Sequence, residues 1–204
     1  MAIVVEHEKR RRDILRNALE VFMDEGFENV TIQKIAARAG ITRTTLYTYF
    51  KNKKEIFNYS IKQLLSGVER QILEIRAAAD LACVERITRV FHAILEKLEE
   101  NRQLLNVILD YLRYISKNDG DPNQRVRRRT VRVRHIIASM VIEGVEAGEI
   151  AAVNIRTVDE LLYSFLEAAI FRLTVLNRKS AGNLKQAVEL AVERLRDAAP
   201  PPRA

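Results

Sequence analysis

Eight consecutive positions, Thr42-Arg43-Thr44-Thr45-Leu46-Tyr47-Thr48-Tyr49, carry four threonine hydroxyls, two phenols and a guanidinium. These are polar hydrogen bonders, not the Glu/Lys mixture of an ordinary solvated helix face, and they suit phosphate oxygens and base edges. Between Val30 and Ser60, six basic residues (Lys34, Arg38, Arg43, Lys51, Lys53, Lys54) stand against one acid, Glu55. Such a local excess is the footprint of phosphate binding. The residue types that serve catalysis are poorly arranged by comparison. His7, His92 and His135 are scattered and Cys83 is the only cysteine, so neither a disulfide nor a cysteine-based zinc site can form. No paired histidines, phosphate-cradling glycine loop or serine elbow is present, and no cofactor, metal or catalytic residue is assigned.

The elements that must position these side chains are helices. Ile14, Leu15, Ala18, Leu19 and Phe22 follow the spacing of one helix face, and Gly26-Phe27 is a glycine stop with its hydrophobic contact. Thr31 caps a short second helix bearing Ile32, Ile35, Ala36 and Ala39. Thr42 caps a third with Leu46 and Phe50 on its apolar side, and Asn52 caps a fourth running towards Ala79. Ala36 stands four residues before Gly40, where a close helix crossing needs a small residue and the turn needs a left-handed one. Ile35, Ala39, Ile41 and Leu46 fall where the two helices must pack. This is the pattern of a helix-turn-helix, with the third helix as the reader.

The positions Ala18, Phe22, Gly26-Phe27, Thr31-Ile32, Ile35-Ala36, Ala39-Gly40-Ile41-Thr42, Leu46-Tyr47, Phe50 and Lys53 together make the chain resemble TetR-family (tetracycline-repressor-like) transcriptional regulators. Tyr49 stands where that family most often has His, and Val30 replaces a frequent Thr. Beyond Ser60 only the architecture resembles the family. Chemistry assigns Thr42 and Thr31 to phosphates, each at the start of a helix. Arg43 and Thr44 are the expected base-edge readers, and Thr45 reaches a thymine methyl or a phosphate. Tyr47, Tyr49 and Lys53 are expected to grip the backbone. The resemblance agrees with these roles. It also implies a repressor released from its operator by a small-molecule effector bound among the middle helices.

Past residue 81 the apolar stripes lengthen, and Asn118-Asp119-Gly120-Asp121-Pro122-Asn123 is the strongest turn signal in the chain. An Arg-rich helix follows to Glu146. Thr157-Val158-Asp159-Glu160 reads as a capping box opening the next helix. From Val158 to Leu176, 13 of 19 residues are apolar, more than one core-facing stripe needs, so a second side must also be covered. Leu162, Phe165, Leu166, Ala169 and Leu173, with Ala187, Ala191 and Leu195 of an Ala-rich last helix, are therefore expected to pack against a second copy in a two-fold homodimer. Such a dimer suits a near-palindromic site in double-stranded DNA. Phe91, His92 and Tyr111, with Tyr114 and Tyr163, are the candidate effector contacts. Arg125, Arg128, Arg129 and Arg132 form a basic helix face, solvated and paired with Glu96, Glu99 and Glu100, or else turned to an anionic effector such as an acyl thioester or to DNA.

Composition agrees with an all-α fold. The 204 residues contain only 7 Gly and 4 Pro, three of the prolines in the terminal run Pro200–Pro202, too few breakers for a sandwich or barrel of short strands. A net charge of +7 and a pI near 9.7 favour an anionic partner, nucleic acid or an acidic membrane surface. The motif's basic excess lies on short helices without the wide apolar face that insertion needs, which disfavours the membrane. The apolar run before Glu6 is too short for a signal peptide, no stretch reaches membrane-span length, and a lone cysteine fits the cytoplasm. The expectation is nine helices, three short and then six long. Residues 1–52 form a three-helix DNA-binding domain, and residues 53–204 a six-helix effector-binding and dimerisation domain. A regulator without an effector, a basic membrane-surface protein and a helical enzyme are the competing readings.

Overall fold

The computed structural model describes residues 2–118 and 121–197, and the side chains of all these except 2–4, 122–130 and 197. Within them lie nine helices and no strand: α1 Ala2–Asn29, α2 Ile32–Arg38, α3 Arg43–Tyr49, α4 Lys53–Ala77, α5 Cys83–Glu100, α6 Arg102–Lys117, α7 Pro122–Glu146, α8 Ile155–Thr174 and α9 Leu184–Asp197. Packing divides the chain into two compact units, residues 1–69 with 106–120, and residues 70–105 with 121–204. The division falls inside α4 and α6, and the first turns of α4 bury Ile56, Phe57 and Ile61 in the first unit.

Local chemistry sets the helix ends. Thr31 Oγ1 accepts from Lys34 N at 3.3 Å and Thr42 Oγ1 from Thr45 N at 3.1 Å, each relieving one orphan donor of a helix start. Asn52 Oδ1 accepts from Glu55 N at 2.8 Å, while the Glu55 carboxylate accepts from Lys51 N, a reciprocal cap before α4. Gly40 adopts φ 64° in the turn between α2 and α3, and Gly26 breaks α1 at φ 75°. Two expectations change. The first helix is long, reaching back to Ala2, because Glu6 to Arg12 are good helix formers although no apolar stripe marks them. Asn154, not Thr157, caps α8, its Oδ1 accepting from Thr157 N at 3.2 Å, so the helix starts at Ile155.

The first unit buries Ile14, Leu15, Ala18, Phe22, Ile35, Leu46 and Phe50 around an aromatic cluster. Phe27 lies 5.7 Å from Phe22, 5.2 Å from Phe57 and 4.6 Å from Tyr111 between ring centroids, at the separations favoured by aromatic pairs. Ser60 Oγ is buried and donates to Leu15 O at 2.9 Å, tying α4 to α1. In the second unit, Val84, Ile87, Phe91 and Leu95 of α5 form a buried stripe, as do Leu162, Leu166, Ala169 and Leu173 of α8 and Val188 and Val192 of α9. Arg134 of α7 holds α8 through Asp159, 2.7 Å away, and Glu160, 2.6 Å away. Arg125, Arg128 and Arg129 lie outside the described side chains. The acids expected to face them are engaged elsewhere: Glu96 with Lys185, Glu100 with Lys97, and Glu99 with the Ala181 amide.

Candidate nucleic-acid interface

Helix α3 is anchored by one fully buried residue, Leu46, and closed by buried Phe50. That single anchor leaves Thr42, Arg43, Thr44, Tyr47 and Thr48 exposed, with Thr45 and Tyr49 half-buried. Arg43 lies over the Tyr47 ring, 5.6 Å from guanidinium carbon to centroid, and donates to the Tyr47 hydroxyl at 3.4 Å. The stack holds an extended cation outward at little further entropic cost. Thr42 and Thr45 hydroxyls are 2.8 Å apart, and Thr48 donates to Thr45 O at 2.7 Å. The exposed face of α3 thus presents Arg43, Thr44, Tyr47 and Thr48, while Thr42, Thr45 and Tyr49, at i, i+3 and i+7, make the adjoining face. Tyr49 is stacked on His7 of α1, 4.5 Å between centroids.

The basic excess read along the sequence is smaller in space. Lys34 is paired with Glu25, and Arg38 reaches both Glu20, 3.2 Å away, and Asp24, 2.9 Å away. Those carboxylates lie on α1, and the hydrogen bond that Arg38 donates to Asp24 raises its pKa. What remains uncompensated is Arg43 with Lys51 and Lys54, together with basic residues of α1. Lys53 does not project outward as expected. Its ammonium donates to Phe27 O at 2.8 Å and Glu28 O at 3.0 Å, and sits 4.7 Å from the centre of the Phe27 ring. Burial lowers its pKa, with the Glu28 carboxylate pulling the other way. The cation closes the carbonyl end of α1, where helix carbonyls have no partner of their own. Thr31 is exposed at the start of α2, its oxygen already accepting from Lys34 N.

Of the five candidate effector contacts, two lie in the first unit and three in the second. Tyr111 and Tyr114 pack on Phe27 in the first unit, the Tyr111 hydroxyl bonding Asn58 Oδ1 at 3.1 Å. In the second unit Phe91 is wholly buried, His92 Nε2 lies 3.1 Å from Glu189, and Tyr163 carries Arg134 on its ring. An open groove of about 650 Å³ runs between α5 and α9, lined by residues including Val84, Thr88, Gln186 and Leu190. Cys83 is no activated thiol: burial pushes its pKa up, and its Sγ–H points at Met140 O, 2.9 Å away.

The expected dimer residues also divide. Leu162, Leu166, Ala169 and Leu173 are buried inside their own chain, so they cannot meet a second copy. A helix apolar nearly all round offers two stripes, and sequence does not say which one its own core takes. Phe165, Ala187, Ala191 and Leu195 are half-exposed. Left open are Leu161 and Phe171 of α8 and Val175 at its C-cap, 47%, 52% and 63% exposed, with Leu190 of α9 63% exposed. Sequence reasoning missed these four because they share their types with the buried set.

Comparison with known proteins is consistent with this geometry. Residues 14–59 match the family described as bacterial regulatory proteins, tetR family. The fatty acid metabolism regulator protein of Bacillus subtilis is 25% identical over 162 residues, covering 77% of this chain and 79% of that protein. The repressor KstR2 of Mycolicibacterium smegmatis is 28% identical over 142 residues, 68% of this chain and 66% of its own. Among solved structures, a TetR transcription regulator from Haloarcula marismortui superposes with a TM-score of 0.76 at 18% identity, over 94% of this chain and 98% of that one. Bacillus subtilis FadR, in complex with stearoyl-CoA, superposes with a TM-score of 0.66 at 21% identity, over 92% and 98%. At such identities the two structures speak for the fold. Among the described residues no helix is long and apolar enough to cross a membrane, and no group of His, Cys, Asp and Glu is placed to hold a metal ion.

Proposed function

The chain belongs, through residues 14–59, to the tetR family of bacterial regulatory proteins, and from that premise we propose that it is a transcriptional repressor that binds duplex DNA as a homodimer. The observation that carries the reading is the exposed face of α3, where Arg43, Thr44, Tyr47 and Thr48 project from a helix anchored by Leu46 alone. Arg43 and Thr44 read base edges in the major groove, Tyr47 and Thr48 hold the flanking backbone, and Thr42 and Thr45 adjoin them. Two copies meet through Leu161 and Phe171 of α8, Val175 at its C-cap and Leu190 of α9. Large apolar side chains left this exposed suit an interaction site. A two-fold dimer places two α3 helices on half-sites about 34 Å apart, and the operator is correspondingly near-palindromic.

We further propose that the operator is released by an acyl thioester of coenzyme A. This rests on the likeness, over most of both chains, to a fatty acid metabolism regulator and to a regulator whose structure holds stearoyl-CoA. An effector releases DNA only by binding the DNA-incompetent conformation more tightly, and the two affinities are linked reciprocally. The test is selection of duplexes from a random-sequence pool, followed by titration of the selected duplex with stearoyl-CoA and, separately, with free coenzyme A. Enrichment of a near-palindrome and its release by the thioester alone is the expected result. Failure to enrich any sequence overturns the DNA reading. Enrichment with no response to acyl thioesters leaves a DNA-binding regulator and overturns the effector assignment.

A further inference from the structure

The basic run Lys9-Arg10-Arg11-Arg12 lies on α1, before the residues that match the family and outside the helix-turn-helix. Its members are used differently. Arg11 turns onto the protein, its guanidinium 4.4 Å from the Tyr59 ring centre and 5.3 Å from that of Phe50. Arg10 is exposed and makes no ion pair with any described residue, unlike Arg16, which is bound to Asp13 2.9 Å away. The His7–Tyr49 stack fixes this end of α1 against α3. Arg10, three residues on and so on the same helix face as His7, lines an open groove of about 460 Å³ with Ala37, Gly40, Ile41, Thr42 and Thr45.

From this arrangement we propose that Arg10 is a DNA-backbone ligand, binding a phosphate beside the recognition helix together with the Thr42–Thr45 hydroxyl pair. The inference rests on the DNA-binding reading above and extends the interface onto α1. Tyr49 stacks on His7 of α1, Thr42 and Thr45 share the groove with Arg10, and the open side of α3 bears Arg43, Thr44, Tyr47 and Thr48. A duplex engaged by the open side passes its backbone along the boundary, where an uncompensated guanidinium and two hydroxyls converge on a groove. A contact of this kind positions the protein without reading sequence.

Arg10→Gln, Arg10→Lys, Arg12→Gln and Arg43→Ala variants test it, with binding to the selected duplex and to a random-sequence duplex measured by anisotropy between 50 and 200 mM salt. Arg12 is exposed, and two residues from Arg10 it falls on the far side of the helix, so it controls for net charge. Losing one phosphate contact in each copy of the dimer makes the slope of log K against log salt shallower by about 1.8, so the defect of Arg10→Gln shrinks roughly 12-fold across that salt range. The expected result is that change for Arg10→Gln on both duplexes, a retained slope for Arg10→Lys, and a smaller change for Arg12→Gln. Equal slopes for wild type and Arg10→Gln, or equal losses for Arg10→Gln and Arg12→Gln, overturn the inference. If Arg43→Ala still abolishes preference for the selected duplex in that case, the DNA reading stands without it. Absence of any salt-dependent binding by the wild type overturns both.

Discussion

Replacing Lys53 with Met removes an ammonium while keeping most of the apolar stem, and it separates two roles for one residue. In the structure the cation donates to Phe27 O and Glu28 O at 2.8 and 3.0 Å and lies 4.7 Å from the Phe27 ring centre. Two hydrogen bonds from a charged donor are each worth about 1.5 kcal/mol, and a partly exposed cation–π contact about 0.5. Withdrawal of the ammonium from water, the same burial that lowers its pKa, offsets part of that sum. The loss on substitution comes chiefly from two carbonyls left without a donor. A net destabilisation of about 1–2 kcal/mol follows, roughly 3–6 °C in the melting temperature of a chain this size. Calorimetry measures the shift, and hydrogen exchange in residues 22–29 locates it. Salt-dependent DNA binding should keep its slope. An unchanged melting temperature combined with a slope shallower by about 1.8, one contact in each copy of the dimer, would refute the assignment and return Lys53 to the phosphate role that its sequence position suggests.

Four further outcomes are expected. Gly144→Ala places a Cβ 2.6 Å from Ile150 Cδ1 and 2.9 Å from Cys83 Sγ, so α5 and α7 must part; denaturant melts should show a loss of about 1–3 kcal/mol despite alanine's better helix propensity. Ile150→Ala deletes both close atoms of that side chain, and the double variant should lose less than the sum of the singles. Phe171→Glu, on the exposed stripe of α8, should yield a monomer by sedimentation with secondary structure intact, whereas Leu162→Ala should cost about 2–5 kcal/mol of stability because Leu162 is buried in its own chain. Glu96 has its pKa lowered by the hydrogen bond from Lys185, so its contribution is present above the ordinary value of 4.5 and is lost as pH falls through the lower folded value. Because the pair is exposed it is worth less than about 1 kcal/mol, and the gap between wild type and Glu96→Gln in urea midpoints should close on acidification from pH 6.

The parts of this fold that follow from neighbouring residues were legible. Thr31 and Thr42 are caps, and Gly40 takes the left-handed turn that its place after Ala36 requires, because each depends on only a few positions. Other features depend on distant partners. Lys34 and Arg38 look like free cations along the chain, yet their acids lie 9 to 18 residues away on α1. Lys53 is captured by carbonyls 25 and 26 residues back, with no side-chain type to announce them. Asn154 and Thr157 both qualify as caps, and the earlier, at least equally good Asn wins. On α8 the pattern shows that two sides are apolar but not which is which. Tyr111 carried the least information, since an aromatic at helical spacing reads the same in a pocket as in the core where it packs against Phe27 and Phe57.

Hydroxyl-radical footprinting of a duplex selected by this protein bears most directly on the central claim that the open face of α3 reads DNA from a two-fold dimer. The account predicts two protected patches on each strand, centred about one helical turn apart and related by the symmetry of the site, both abolished by Arg43→Ala. Protection spread evenly along the duplex, or a footprint that survives Arg43→Ala unchanged, would contradict it.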